Sequence, residues 1–314
     1  MTSTLDTPAF DSLAPCESGL WSHGHVTVER VAAGPLTLTR DGEQLRVTHA
    51  LTPEDLSERL VASVTTSIED ADFGQDEFES TMVGLVRSTV DGALEAWTVY
   101  YRNSLNELLD GTADFAPIHE KAEQLVHGSV LDLGSCFGFL PLRLARAGRS
   151  VTATDILPGT MTLLDAVAPE LGLDLRTLVC DAAHVPVPDD SADTVTAIHL
   201  LEHVDENIGA AVISEALRVA RDRVVVAVPL RGRGNGLPRT HPHLRHPVAH
   251  EARRIDGTSL RGVRTPRRMA RHRLLTTSRC PQMRRGRGGA ARLIGSGVRS
   301  GVPRSMRWVR PGGL

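Results

Sequence analysis

Ser129-Val-Leu-Asp-Leu-Gly-Ser-Cys-Phe-Gly138 is the stretch whose reading decides the fold. A short apolar strand ends on an acid, two glycines follow four residues apart, and Phe139 to Ala147 carries the amphipathic pattern of a helix. Glycines at 134 and 138 let the backbone turn tightly and come close to a ligand. The N-terminus of the next helix offers unpaired N–H groups to an anionic part of that ligand. A strand, loop and helix cradle is the expectation.

Downstream of the cradle, strands are expected at 130–134, 150–155, 174–179, 193–200 and 222–229, with helices at 139–147, 160–168 and 207–220. A βαβ series of this kind predicts an α/β fold, a doubly wound, Rossmann-like, mostly parallel sheet covered on both faces. Upstream, Trp21 to Leu51 alternates, with Asp41-Gly42 as a hairpin signal, so a small antiparallel β element is expected. Thr52-Pro53-Glu54-Asp55 has the marks of a helix start. Helical patterns then run over 78–90, 94–109 and 117–126. Trp97, Tyr100, Tyr101 and Arg102 cluster in the second of these; they either pack against the next domain or line a ligand mouth. The resulting division is a flexible lead (1–20), a small β/α element (21–75), a helical lid (76–127), the cradle domain (128–230) and an Arg/Gly/Pro-rich tail (231–314) with no period, read as disordered.

The net charge of −3 conceals an abrupt change along the chain. Residues 1–230 hold 14 basic and 36 acidic side chains, whereas residues 231–314 hold 21 and 2. Cys16, Cys136, Cys180 and Cys280 have no metal-type or redox-type spacing, which suits a reducing cytoplasm and predicts no metal centre. Neither a membrane span nor a signal peptide is indicated.

Three further features fall where an adenosine-type cofactor needs them. Asp155 ends the second strand, 23 residues after Asp132, where a carboxylate can accept both ribose hydroxyls. Cys180-Asp181-Ala182-Ala183 follows the third strand; its acid can accept the adenine amino group and its small residues leave room for the ring. Ile198-His199-Leu200-Leu201-Glu202-His203-Val204 closes the fourth strand at the topological switch point, where ligands of open α/β sheets sit. Asp132-x-Gly134-x-x-x-Gly138 departs from the G-x-G-x-x-G of dinucleotide folds.

With these four ordered motifs, residues 129–229 resemble class I S-adenosylmethionine-dependent methyltransferases. The resemblance implies that Asp132, Gly134, Ser135 and Gly138 hold the methionine end of S-adenosylmethionine, Asp155 and Ile156 the ribose side, and Asp181 with Ala182 the adenine. His203, Glu202 and His199 are the candidates for a base at the transferred methyl, with His199 also able to pack under the cofactor and Glu202 to cap the next turn. More narrowly, residues 83–90, 97–105, 130–144, 177–183 and 199–203 are similar to the mycofactocin oligosaccharide methyltransferases. That similarity implies O-methylation of a glucose hydroxyl on the glycan of mycofactocin, a small-molecule partner, in the cytoplasm.

Three readings compete for the tail. An arginine-rich arm for RNA is physically sensible, but the aromatics that stack bases are missing, which argues against nucleic acid. His241, His243, His246 and His250 have a spacing open to a metal, without flanking cysteines. The third reading is a frameshift: a neighbouring frame of residues 258–272 accommodates Leu-Pro-Phe-Glu-Val-Ser-Glu-His-His-Gly-Gly-Trp-Leu-Val, and the mycofactocin type resembled here ends near a Glu-His-His-Gly-Gly-Trp-Leu-Val segment. On that reading the strand at 222–229 loses its neighbour and becomes an exposed apolar edge, and the domain binds cofactor without turning over.

Overall fold

A computed structural model describes residues 12–61, 64, 74–229, 272–278 and 306–307. The rest of the tail, with its four-histidine spacing, lies outside the described residues, as do residues 1–11 of the lead.

The N-terminal element is a four-stranded sheet of β1 (Leu20–His23), β2 (Val26–Arg30), β3 (Thr37–Asp41) and β4 (Gln44–His49), in the order β1-β2-β4-β3. Asp41-Gly42 makes the expected hairpin, with Asp41 opposite Gln44 and Gly42 at φ 58. The expectation of a purely antiparallel element is corrected: β4 runs parallel to β2, Val28 opposite Val47. The chain between β2 and β3, which carries Gly34-Pro35, is too long for a tight hairpin, so β4 returns into the gap between them. Helix α1 (Gln75–Thr89) crosses this sheet at Gly84, where a Cβ would lie 2.3 Å from Val28 Cγ2. Thr52-Pro53 starts only a short 3-10 turn, Pro53–Asp55, before helical geometry resumes at residues 59–61.

Residues 12–19, expected within the flexible lead, are tied down. Arg87 Nη1 of α1 donates to Ser12 O and Ala14 O, both at 2.8 Å, and Trp97 Nε1 donates to Ser12 O at 2.9 Å. Buried donors of this kind need partners, and here the lead's carbonyls supply them.

Helix α2 (Ala93–Asp110) and helix α3 (Ala116–Leu125) lead to the main sheet. Its order is β11-β10-β9-β8-β5-β6-β7, with β5 (Val130–Leu133), β6 (Val151–Asp155), β7 (Arg176–Val179), β8 (Ala192–Ile198) and β9 (Ala220–Pro229) all parallel. Helices α4 (Phe139–Arg146), α5 (Pro158–Glu170) and α6 (Glu206–Val219) are the crossovers. The order turns between β5 and β8, which puts the switch point at the cradle.

One expectation about the tail is overturned. β10 (His272–Ser278) pairs antiparallel with β9, Leu275 opposite Val226, and β11 (Met306–Arg307) pairs with β10. β9 is therefore not an exposed edge. Its outer N–H and C=O groups need partners, and the backbone of β10 supplies them.

Candidate functional site

Three residues with left-handed backbone shape the loop after β5: Gly134 at φ 66, Cys136 at φ 50 and Gly138 at φ 76. The two glycines are required sterically as well. A Cβ on Gly134 would lie 2.7 Å from Leu200 Cδ1, and one on Gly138 would lie 2.4 Å from Leu164 Cδ2. Hydrogen bonds from within hold the loop: Ser135 N to Thr154 O at 2.8 Å, Cys136 N to Asp155 Oδ2 at 2.8 Å and Gly138 N to Ser135 O at 2.7 Å.

Asp132 lies beneath the loop, 3% exposed. Thr196 Oγ1 of β8 donates to its Oδ1 at 2.5 Å, and Ser135 Oγ donates to its Oδ2 at 2.8 Å. Burial pushes its carboxyl up to about 6 against the pull of these two hydroxyls, and neighbouring Asp155 adds to the rise. Asp132 thus braces the turn between β5 and β8.

Asp155 is buried at the end of β6, where Oδ2 accepts Cys136 N and Oδ1 accepts Leu157 N at 3.0 Å. Each oxygen keeps a second lone pair. Beside it, Ile156, Leu157 and Val179 are each close to half exposed, and Val179 is the β7 partner of Asp155. Apolar side chains presented together at the carboxyl ends of neighbouring strands are the material of a ligand wall. Asp181 is exposed; its Oδ1 accepts Ala183 N at 2.8 Å, and Ala182 beside it is half-buried.

At the end of β8, His199 adopts φ 60, and its N–H donates to Ala227 O at 3.1 Å. Its Nδ1 lies 2.9 Å from Glu202 Oε1 across the 3-10 turn Leu201–His203. Phe115, 46% exposed at the start of α3, meets the His199 ring edge-on at 5.0 Å. One turn along α3, buried His119 is lowered to about 3 by burial first, then by His199 and Arg143, so it stays neutral. His203 closes the 3-10 turn, its N–H donating to Leu200 O at 3.1 Å. The structure thus brings His199 and Glu202 into contact and seats His203 on the same turn. Phe115 and His119 went unread because their partner is far away in sequence; only their i, i+4 spacing hinted that they share a face.

Of the four clustered residues, the three aromatics pack against the cradle as the first reading expects, whereas Arg102 is exposed. Trp97, Tyr100 and Tyr101 are at most 2% exposed, and they close on Phe137 and Phe139 of the cradle, Tyr101 to Phe139 at 5.2 Å between centroids. Tyr100 Oη donates to Glu58.

Asp132, Asp155 and Glu58 surround the loop, and none of them makes an ion pair among the described residues. That donor set opposes a pyrophosphate and suits a cationic sulfonium, so it fits S-adenosylmethionine.

Residues 131–228 match the family model of the methyltransferase domain. The chain carries an S-adenosylmethionine-dependent methyltransferase domain. No curated protein matches the chain. Among solved structures it is similar to one described for the conversion of a disulfide bond into a thioacetal group during echinomycin biosynthesis, with 26% identity over 35% of this chain and 48% of that one, TM-score 0.34. A SAM-dependent methyltransferase from Methanosarcina mazei is similar at 24% identity over 34% of this chain and 56% of that one, TM-score 0.33. For a SAM-dependent methyltransferase from Aquifex aeolicus the figures are 19%, 43%, 78% and 0.34. The chain spans about half the length of the first structures it matches. Among the described residues, no helix is long and apolar enough to cross a membrane.

Proposed function

We propose that this methyltransferase domain acts on a hydroxyl, and that the acceptor is a glucose hydroxyl of the mycofactocin oligosaccharide. The observation that carries the reaction type is the His199–Glu202 pair at the carboxyl end of β8, beside the cradle. When bound, the cofactor supplies a methyl already activated on its sulfonium. The chain's own residues then have to orient the acceptor, exclude water and take one proton. On this reading His199 Nδ1–H donates to Glu202 Oε1 and Nε2 takes the acceptor's proton. His199 is therefore the base on this reading, with Glu202 orienting it, in preference to His203, because a carboxylate fixes its ring.

On the same reading the cofactor roles are these. Gly134, Ser135 and Gly138, braced by Asp132, receive the methionine end; Asp155 receives the ribose; Ile156, Leu157, Val179, Asp181 and Ala182 enclose the adenine. Support for the glycan acceptor is the sequence similarity over residues 83–90, 97–105, 130–144, 177–183 and 199–203. Transfer of an isotope-labelled methyl from S-adenosylmethionine to glycosylated mycofactocin, located by fragmentation mass spectrometry, tests the acceptor. A chain that binds S-adenosylhomocysteine yet leaves the glycan unlabelled refutes it.

We also infer that the sequence after about residue 230 is out of frame. Two features support this: the change from 36 acids in residues 1–230 to 2 in residues 231–314, and the neighbouring-frame segment across 258–272. Resequencing around codon 231 decides it, and an unaltered frame overturns it.

A further inference from the structure

The cradle has a second polar wall that none of its sequence motifs includes. The segment that follows the 3-10 turn at Pro53–Asp55 is fastened along α2: Asn103 Nδ2 donates to Pro53 O at 2.8 Å and Leu56 O at 2.9 Å, and Glu58 N donates to Ser104 Oγ at 3.0 Å. These bonds hold Glu58 where Tyr100 Oη donates to one of its carboxylate oxygens. Tyr100 and its neighbour Tyr101 face Phe137 at 6.3 Å and close on Phe139, the residues on either side of Gly138. Arg59, next to Glu58 in the sequence, is engaged by Glu107 at 3.1 Å, and Glu58 has no ion pair among the described residues. Tyr101 is 0% exposed, and its hydroxyl has no hydrogen-bond partner among the described residues.

A half-buried carboxylate without a counter-ion and a fully buried unsatisfied hydroxyl are costly unless a ligand completes them. Burial raises the Glu58 carboxyl above its usual range, and Glu107 raises it further, while the Tyr100 hydroxyl pulls it down. Burial of the thiol, then the charges of Asp155, Glu58 and Glu79, push Cys136 in the middle of the loop up to about 12, so this wall and the loop share one negative field. An alkylammonium is the ligand chemistry that answers both groups. It pairs with the carboxylate and donates a hydrogen bond to the phenol oxygen.

We propose that Glu58, held by Tyr100 on the lid side of the cradle, forms with the unpartnered Tyr101 hydroxyl a binding site for the ammonium of the cofactor's amino-acid end. The proposal rests on S-adenosylmethionine as the cofactor. It adds to the cradle motifs a residue more than 70 positions upstream of the first of them.

Two ligands separate this site from the rest of the cradle. S-adenosylhomocysteine carries the amino-acid arm; 5′-methylthioadenosine keeps the adenosine and the sulfur and lacks it. By calorimetry, Glu58→Gln, which keeps a hydrogen-bonding partner for Tyr100, is expected to weaken S-adenosylhomocysteine on the order of 10- to 100-fold and leave 5′-methylthioadenosine unchanged. Tyr101→Phe should weaken S-adenosylhomocysteine about 5-fold while raising the melting temperature of the ligand-free protein, since it deletes a buried unsatisfied group. Ser57→Ala, which removes a hydroxyl that donates to Glu107 at 3.0 Å and accepts Arg59 N at 3.3 Å but hydrogen-bonds to neither Glu58 nor Tyr101, should leave both affinities unchanged. Equal losses for the two ligands, or no loss for the first, overturn the proposal. Wild-type protein that binds both ligands equally overturns it and leaves the cofactor assignment standing; wild-type protein that binds neither overturns both.

Discussion

Replacing Asp132 with Asn should stabilise the ligand-free protein at neutral pH. The substitution keeps the shape: an amide oxygen can still accept Thr196 Oγ1, and the amide N–H can donate to Ser135 Oγ, which then turns its own proton to the Asp132 backbone oxygen at 3.2 Å. What it removes is a buried charge. Asp132 has its folded-state value raised from 3.8 to about 6, so between those limits the folded state binds more protons than the unfolded. Its contribution to stability is complete below about pH 4 and is lost as pH rises through about 6. A difference of about two pKa units corresponds to about 3 kcal/mol. Urea denaturation of both proteins from pH 4 to pH 8 reads this directly. The advantage of Asp132→Asn should grow with pH to a plateau on the order of 3 kcal/mol above pH 7, while its affinity for S-adenosylmethionine falls. An advantage that is the same at pH 4.5 and pH 8 refutes the reasoning. Lowered carboxylates such as Glu77, at about 2, lose their contribution only as pH falls towards that value, and they cancel in the difference.

Other outcomes follow from the same geometry. Gly138→Ala meets both a left-handed backbone and a Cβ contact of 2.4 Å with Leu164, so chemical denaturation should show a loss of about 1–3 kcal/mol. His199→Ala should lower kcat about 10²- to 10⁴-fold with S-adenosylhomocysteine affinity retained. Glu202→Gln should lower kcat less and shift the pH–rate profile; a His203→Ala variant with the larger defect would reassign the base. Thr196→Val deletes the hydroxyl under Asp132 and should cost about 1–3 kcal/mol at pH 8 and less at pH 5, where Asp132 is protonated, as measured by urea denaturation.

Local signals made much of this fold legible. Strand and helix periods placed β5, β6, β7, β8 and β9 within about two residues, since each is a short run rich in apolar and β-branched residues. The place of Asp155 at the end of β6 could be anticipated from the strand pattern, but its bonds to Cys136 N and Leu157 N could not. What escaped was long-range. Nothing near Glu58 announces a partner 42 positions away in Tyr100, and nothing near Ser12 announces Arg87. The parallel entry of β4 between β2 and β3 is a choice among sheet orders that alternation alone does not distinguish. β10 was missed because backbone pairing asks little of sequence, and an arginine-rich stretch with one Leu-Leu-Thr-Thr run meets that demand.

The packing of Phe137 and Phe139 against Trp97, Tyr100 and Tyr101 means that the inheritable unit and the foldable unit are different lengths of chain. The stretch that matches other methyltransferases begins at residue 131. The apolar cluster that closes over the cradle nonetheless mixes Trp97, Tyr100, Tyr101 and Leu105 of α2 with Leu142, Met161, Leu164 and Val167 from beyond it. Cut at the homology boundary, the sheet would expose the flank that the lid covers, and the loop would lose the surface that sets its curvature. An excised 128–230 fragment should therefore be sticky and bind cofactor poorly, whereas a fragment beginning near residue 12 keeps the cradle whole.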